Sequence, residues 1–550
     1  MTERRLLPVH ERLPPAMGVS DCVGLVAAIL ILVLFRLHAF DLPLETDECN
    51  YALIAARLLA GDRLYVDVWD HQPFGVFSLF AAVIALFGDA AIVFRWMALL
   101  FSAASLLLIF AILRHVSGRS AAILGALLFA VASSDPGTGG EGCNREVYMS
   151  TLILAAWYCA MRSATRPSLW LFASGAALAI ASSLKTIVAV HWVLLAVWIV
   201  VNEGRQRQDE RRGAAIVRRL LWFAAGPVIL WGVAFCYFAA TGRLGEFVDA
   251  VFLFNVGYSD GSEPFLMRFV RFFAPLKHPF VFESALPLWI GAIIAAIWLI
   301  YEVTSRRGRL SLAMVLLLSA SYIAICLPGR FWPHYYYLLL PGAVLAVSIV
   351  VQRWATWLRQ ELFLGTWGAN FAWVLLYALV PITLTLTEVR NYVLQPPFGI
   401  TVKRYNSRDF WGEAQGKNVA SVTDPDDTIF VFGNDASIYY YSQRRCASRY
   451  TMITGLAAGM RGAEERRRVM LAELVANPPR LILVLFNEKP FDEWLRFLEL
   501  HYGEAVGVDY HDRTGDPIML AFVRKDRPIR AMEWNWDRSA IGGWQLGERR

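Results

Sequence analysis

Residues 20–51 read SDCVGLVAAILILVLFRLHAFDLPLETDECNY: a nearly uninterrupted apolar run from Ser20 to Ala39, then a sharply acidic stretch. About 20 apolar residues suffice to cross the ~30 Å hydrocarbon core of a bilayer. Arg4, Arg5 and Arg12 precede the run and no small-residue cleavage site follows it, so it reads as an uncleaved first span, not a signal peptide. Ten further apolar runs centre near residues 90–113, 120–134, 147–161, 168–183, 187–201, 220–240, 284–301, 311–327, 335–351 and 368–387. The expected fold is therefore an all-α polytopic domain of about eleven transmembrane helices. An odd number puts the two termini on opposite sides.

Charge assigns the sides. The leader and the loops alternating with it carry 18 Lys/Arg in roughly 73 residues, among them Arg114, Arg119, Arg162, Arg166, Arg205, Arg219, Arg309 and Arg353. The opposite loops carry eight in roughly 108. Basic loops stay in the cytoplasm, so the N-terminus is expected inside and the long loops outside. The run Phe74–Phe87 is too short to cross and reads as an interfacial or re-entrant helix of the first outer loop. Residues 241–283, rich in Phe, Pro and basic residues, are expected on the outer membrane surface, and are longer than a connection needs.

The whole chain of 550 residues is 57% hydrophobic and 18% charged, with a mean hydropathy of +0.45. That excludes an ordinary soluble enzyme and a disordered chain. Charge divides unevenly: residues 388–550 hold 23 Lys/Arg and 22 Asp/Glu, about 28% charged, against about 14% in residues 1–387. The expected organisation is a membrane domain over 1–387 and a small extracytoplasmic α/β domain over 388–550. In the latter, Thr428–Phe432, Arg480–Phe486 and Pro517–Val523 read as strands, and Gly433-Asn434-Asp435 opens a helix through Tyr441. The net charge of +6 is explained by the cytoplasmic loops; no basic stripe interleaved with aromatics marks a nucleic-acid partner. Cys49 and Cys143 stand in two outer loops, where a disulfide and two separate thiols are equally consistent readings.

The chemistry concentrates in the first outer loop, Asp41–His71, which has seven acids against Arg57 and Arg63. Asp47 and Glu48 sit at the mouth of an amphipathic helix, where unpaired backbone donors favour carboxylates; capping by Asp47 is the structural alternative to catalysis. The second outer loop, Ser134–Glu146, has four glycines in six residues, allowing close backbone approach to a ligand, with Glu141 and Glu146 as its acids. Lys185 stands at an outward turn, and Gly329-Arg330-Phe331-Trp332-Pro333-His334-Tyr335-Tyr336-Tyr337 at the outer end of a span. There an Arg suits a phosphate, and a snorkelling Arg in an aromatic belt is the alternative. Arg36 and Arg95 lie in or near spans, Arg36 within snorkelling reach of Asp41 and Arg95 placed to pair with a first-loop acid.

Asp47-Glu48-x-x-Tyr51, then Leu59-Ala60-Gly61, Tyr65, Asp67 and Asp70-His71-Gln72-Pro73, resembles the C-type-fold membrane glycosyltransferases, and within them bacterial relatives of protein O-mannosyltransferases and lipid A aminoarabinose transferases. The resemblance implies an inverting transferase, hexosyl or pentosyl. It would take a polyprenyl-phosphate-linked sugar and act on an envelope glycan, lipid or protein acceptor outside the cytoplasmic membrane. It implies Asp47 as the base, supported by Glu48, with Glu146 as the second acid. Tyr51, Arg57, His71, Glu141, Lys185, Arg330 and His334 become candidate substrate-binding residues. Many relatives carry a Lys before the Pro where this chain has His71-Gln72-Pro73, so a cation elsewhere or His71 itself must meet the donor phosphate. No cofactor is expected: the carboxylates and histidines suit a hard divalent cation, but they have no fixed ligand spacing. A transporter would show inverted repeats and interrupted spans, which are absent. A non-catalytic assembly subunit would have no use for the Asp47-Glu48 pair.

Overall fold

A computed structural model describes residues 17–206, 211–260, 264–273, 280–305, 308–361, 366–405, 408–485, 490–510 and 517–526. Arg4, Arg5, Arg12, Arg207, Lys277, Arg306 and Arg307 of the charge argument lie outside them. All eleven apolar runs are helical. Among the described residues, eight helices are long and apolar enough to cross a membrane, from Val19–Leu37 to Pro333–Arg359. The other three runs form Arg119–Ala132 (14 residues), Arg145–Met161 (17 residues) and Thr366–Glu388 (23 residues). The protein is a multi-pass membrane protein with a small C-terminal α/β region.

Contacts divide the chain into two compact units along lines that charge does not follow. The first comprises Met1–Asp41, Phe94–Tyr237 and Ser262–Arg404. Its helices present Leu34, Leu100, Val228 and Ile297 outward, as a lipid-facing surface requires. Arg36 does not snorkel to Asp41 as expected; it is 1% exposed, and donates to Gly142 O at 3.2 Å, Ser102 Oγ at 2.6 Å and Ser133 O at 3.0 Å. It thereby ties the first span to both ends of the glycine-rich loop. The glycines of that loop serve packing: a methyl group at Gly137 would meet Ser284 Oγ at 1.9 Å, and one at Gly140 the Ser133 carbonyl oxygen at 2.5 Å.

The second unit comprises Leu42–Val93, Phe238–Gly261 and Tyr405–Arg550. The 241–283 loop is thus shared between the two units. Within the second unit lie the helices Thr46–Leu59 and Phe74–Phe87; the latter, about 21 Å long, is too short to span. The sheet contains β1 (Thr428–Phe432), β2 (Arg445–Cys446), β3 (Leu481–Leu485), β4 (Tyr502–Tyr510) and β5 (Pro517–Arg524) in the order β2-β1-β3-β5-β4. β2, β1 and β3 run parallel, and β5 and β4 add antiparallel. Continuous apolar runs such as Ile429–Phe432 suit a parallel strand covered on both faces. Trp494 of the helix Asp492–His501 stacks on Phe432 at 4.5 Å.

The Gly433–Tyr441 element packs against the helix Thr46–Leu59. The Tyr441 hydroxyl accepts from Leu44 N at 2.8 Å, and Thr46 Oγ1 accepts from Ala436 N at 2.9 Å. The backbone N–H of Ala436, the N-cap of the helix Ser437–Ser442, is thus satisfied by the first outer loop.

Candidate active site

In the loop-bearing unit, Glu45, not Asp47, caps the helix Thr46–Leu59, and Glu48 Oε2 accepts from Glu45 N at 3.0 Å to close a capping box. Glu48 is 1% exposed, whereas Asp47, one position earlier, is half-buried. Cap duty thus falls on the residue expected to support the base. Tyr51 is buried against Phe77 and Phe80, with ring centroids at 6.3 and 5.5 Å. Arg57 clamps its own loop, donating from Nε to Asp62 Oδ2 and from Nη2 to Asp67 O, both at 2.6 Å. Arg63 beside Asp67 holds that carboxyl down to about 2.

Tyr65 adopts a positive φ of 69°, a strained conformation for a non-glycine residue. The strain aims its hydroxyl at Gln72 O, 2.9 Å away, pinning His71-Gln72-Pro73. The His71 ring lies against Phe254 and Tyr258, with centroids 5.3 and 5.2 Å away.

In the membrane unit, three of the expected residues converge. Glu146, in the first turn of the helix Arg145–Met161, accepts from Lys185 Nζ at 3.0 Å, with Arg145 Nε at 3.6 Å. His334 acts electrostatically on the same carboxylate. Lys185 Nζ stands 3.3 Å above the Tyr335 ring, so the Pro333–Leu339 turn walls the cation. All four groups are nearly fully buried. Arg330 sits between Gly329 (φ 64°) and Phe331 (φ 51°), two left-handed positions in succession around it. Glu141 is 2% exposed and joins a different acidic group, with Asp135 and Glu388. Arg95 is buried near Tyr392. All seven cysteines are free thiols, Cys49 and Cys143 buried among them.

Asp135 was not among the sequence candidates. Its carboxylate accepts from Gly137 N and Thr138 N, both at 3.1 Å, yet burial pushes it up to about 7, with Glu141 adding to the rise. A carboxyl raised in the folded state binds protons that the unfolded chain has released, so stability is full below about 4 and falls as pH rises to about 7. A shift of about three units bounds the loss at about 4 kcal/mol. Thermal melts between pH 4 and 8 should show this decline and a plateau above it, and Asp135→Asn should flatten the curve. An unchanged slope in that variant would contradict the assignment.

A family model and solved structures show what the chain is similar to. Residues 71–231 match the family model described as dolichyl-phosphate-mannose-protein mannosyltransferase. The structure superposes on ArnT from Cupriavidus metallidurans bound to undecaprenyl phosphate with a TM-score of 0.59, at 16% identity over 92% of this chain and 98% of that one. The chain has the C-type glycosyltransferase fold. An Archaeoglobus fulgidus oligosaccharyltransferase, tethered to an acceptor peptide, shares the C-type arrangement with a TM-score of 0.54, at 15% identity over 92% of this chain and 74% of that one. Curated protein sequences give no significant match. On this C-type frame Glu146 and Lys185 come from alternate span connections, at the start of the helix Arg145–Met161 and just after the helix Pro167–Leu184, and the sequence reading flagged both. The sequence did not single out Asp135 or Asn50, which carry no recognised motif role, and it noted Arg36 without its partners.

Proposed function

We propose that the protein is an inverting glycosyltransferase that moves a hexose or pentose from a polyprenyl-phosphate carrier to an envelope glycan, lipid or protein. The observation that carries this reading is the buried cluster of Lys185, Arg145 and His334 around Glu146 in a C-type membrane unit. Burying several cations together is costly unless an anion repays it. A donor phosphate there would meet charge-assisted donors that stabilise it as it leaves. Similarity to ArnT bound to undecaprenyl phosphate supports the same donor class.

In the proposed reaction Asp47 takes the proton of an acceptor hydroxyl as its oxygen attacks the anomeric carbon. The bond from that carbon to the phosphate oxygen breaks, and polyprenyl phosphate departs with its electron pair. One displacement inverts the centre, so no covalent sugar–enzyme intermediate is needed. Arg330, His71 and Glu141 are assigned to substrate binding, and the C-terminal domain to the extracytoplasmic side of the inner membrane. We propose that transfer needs no metal, so that it survives EDTA; loss of transfer on chelation, restored by a divalent cation, would overturn this.

The test is reconstitution of the full chain in nanodiscs with a series of polyprenyl-phosphate sugars. Release of polyprenyl phosphate coupled to acceptor glycosylation, with inversion seen by NMR, is the expected outcome. No turnover and no binding of undecaprenyl phosphate would reject the reading.

A further inference from the structure

A line of buried hydrogen bonds runs from the chain after β2 to Asp70, whose carboxylate faces the ring of His71. Thr451 Oγ1 donates to Asn50 Oδ1 at 2.7 Å, and Asn50 Nδ2 donates to Asp70 Oδ2 at 2.7 Å. The other oxygen, Asp70 Oδ1, accepts from Gln72 N at 2.8 Å and lies 3.5 Å from His71 Nδ1. Thr451 and Asn50 are each 1% exposed and Asp70 is 7% exposed, whereas 16% of the His71 side chain is accessible.

Chemistry gives the line one direction. An ionised carboxylate only accepts, so the amide nitrogen of Asn50 must face Asp70 and its oxygen must face Thr451, whose hydroxyl then donates. With one oxygen held by Asn50, Asp70 turns the other toward the imidazole. A carboxylate so placed favours a proton on Nδ1, orients the ring plane and stabilises the imidazolium, in which Nε2 donates as well. The backbone of His71 is held as well: its carbonyl accepts from Asn255 Nδ2 at 2.8 Å. Asn255 belongs to a helical segment anchored by Arg466, which pairs with Asp249 at 2.6 Å and lies over Trp69 and Phe254. The Gln72 amide lies 2.7 Å from Nε2, the nitrogen that Asp70 does not engage.

We infer that Thr451, Asn50 and Asp70 are positioning residues through which the C-terminal α/β region orients His71, so that Nε2, protonated in the imidazolium that Asp70 stabilises, exchanges the Gln72 amide for an oxygen of the donor phosphate, to which it donates. This gives the C-terminal region a part in donor binding, and it rests on the glycosyltransferase reading above. An imidazole donates along fixed directions in its ring plane and so needs a partner to aim it.

The test measures undecaprenyl phosphate binding to the full-length protein in nanodiscs for wild type, Thr451→Val, Thr451→Ser, His71→Ala and the Thr451→Val/His71→Ala double variant. Loss of one buried hydrogen bond predicts about fivefold weaker binding in Thr451→Val. Thr451→Ser should restore it to within about twofold. In the His71→Ala background Thr451→Val should add nothing, because residues acting through one group are not additive. A penalty of equal size in both backgrounds would mean that Thr451 acts by general packing, and would overturn the inference. Should Thr451→Val fail to fold, Asp70→Asn enters the same cycle with the same expectation. Wild type that binds while His71→Ala binds equally well overturns the relay and leaves the donor reading standing. Wild type that does not bind overturns both.

Discussion

Asp47→Asn protein is expected to keep its fold and its affinity for polyprenyl phosphate while sugar transfer falls by about 10²- to 10⁴-fold, the usual contribution of a positioned general base. The expectation depends on how the two adjacent acids divide their work. Glu48 is buried and closes the capping box on Glu45 N, a structural task for which its length suits the third helical position. Asp47 is half-buried, outside the cap, on a helix start docked through Thr46 and Leu44 to the C-terminal region. The neighbouring substitution should therefore behave differently. Glu48→Ala should lower the melting temperature through about 1 kcal/mol of lost capping, with a much smaller effect on turnover. Single-turnover transfer and thermal melts of the two variants, taken together, decide the matter. An Asp47→Asn enzyme that transfers at the wild-type rate would remove Asp47 from the mechanism.

Lys185→Met is expected to destabilise the membrane unit by about 3–5 kcal/mol, toward the lower end because Arg145 remains 3.6 Å from the same carboxylate. The reason is desolvation. Glu146 and Lys185 have side chains 1% and 8% exposed, so deleting the ammonium strands a buried carboxylate. Removing both charges in Lys185→Met/Glu146→Gln should recover most of the stability, since an absent pair has no desolvation cost. It should not recover donor binding if Lys185 meets the phosphate. Chemical or thermal unfolding in detergent, paired with undecaprenyl phosphate binding, separates the two roles. A double variant that regains stability and binding together would reduce the pair to a structural one.

Much of the architecture was legible because membrane spans and parallel strands are local signals. The run from Ser20 to Ala39 became the helix Val19–Leu37, and Thr428–Phe432 became β1 with the same ends. β4 was missed: within Tyr502–Tyr510 the alternation is confined to Val506, Val508 and Tyr510, and two glycines and two acids break up the rest. The glycine-rich loop was read for ligand approach, whereas Gly137 and Gly140 admit neighbouring protein atoms. Composition cannot separate these uses, because a missing Cβ makes room for either.

The sequence by itself determined the helical membrane architecture, the acidic first loop with Asp47 and Glu48, and the α/β character of the C-terminal region. Each follows from hydropathy, period or adjacency over a few tens of residues. Only the tertiary structure decided which charges pair: Lys185 with Glu146 across 39 positions, Arg36 with the glycine loop across about 100, and Thr451 with Asn50 across 401. A buried polar group must find a partner or bear the cost of desolvation, and that partner is chosen by proximity in the folded chain, on which sequence spacing is silent.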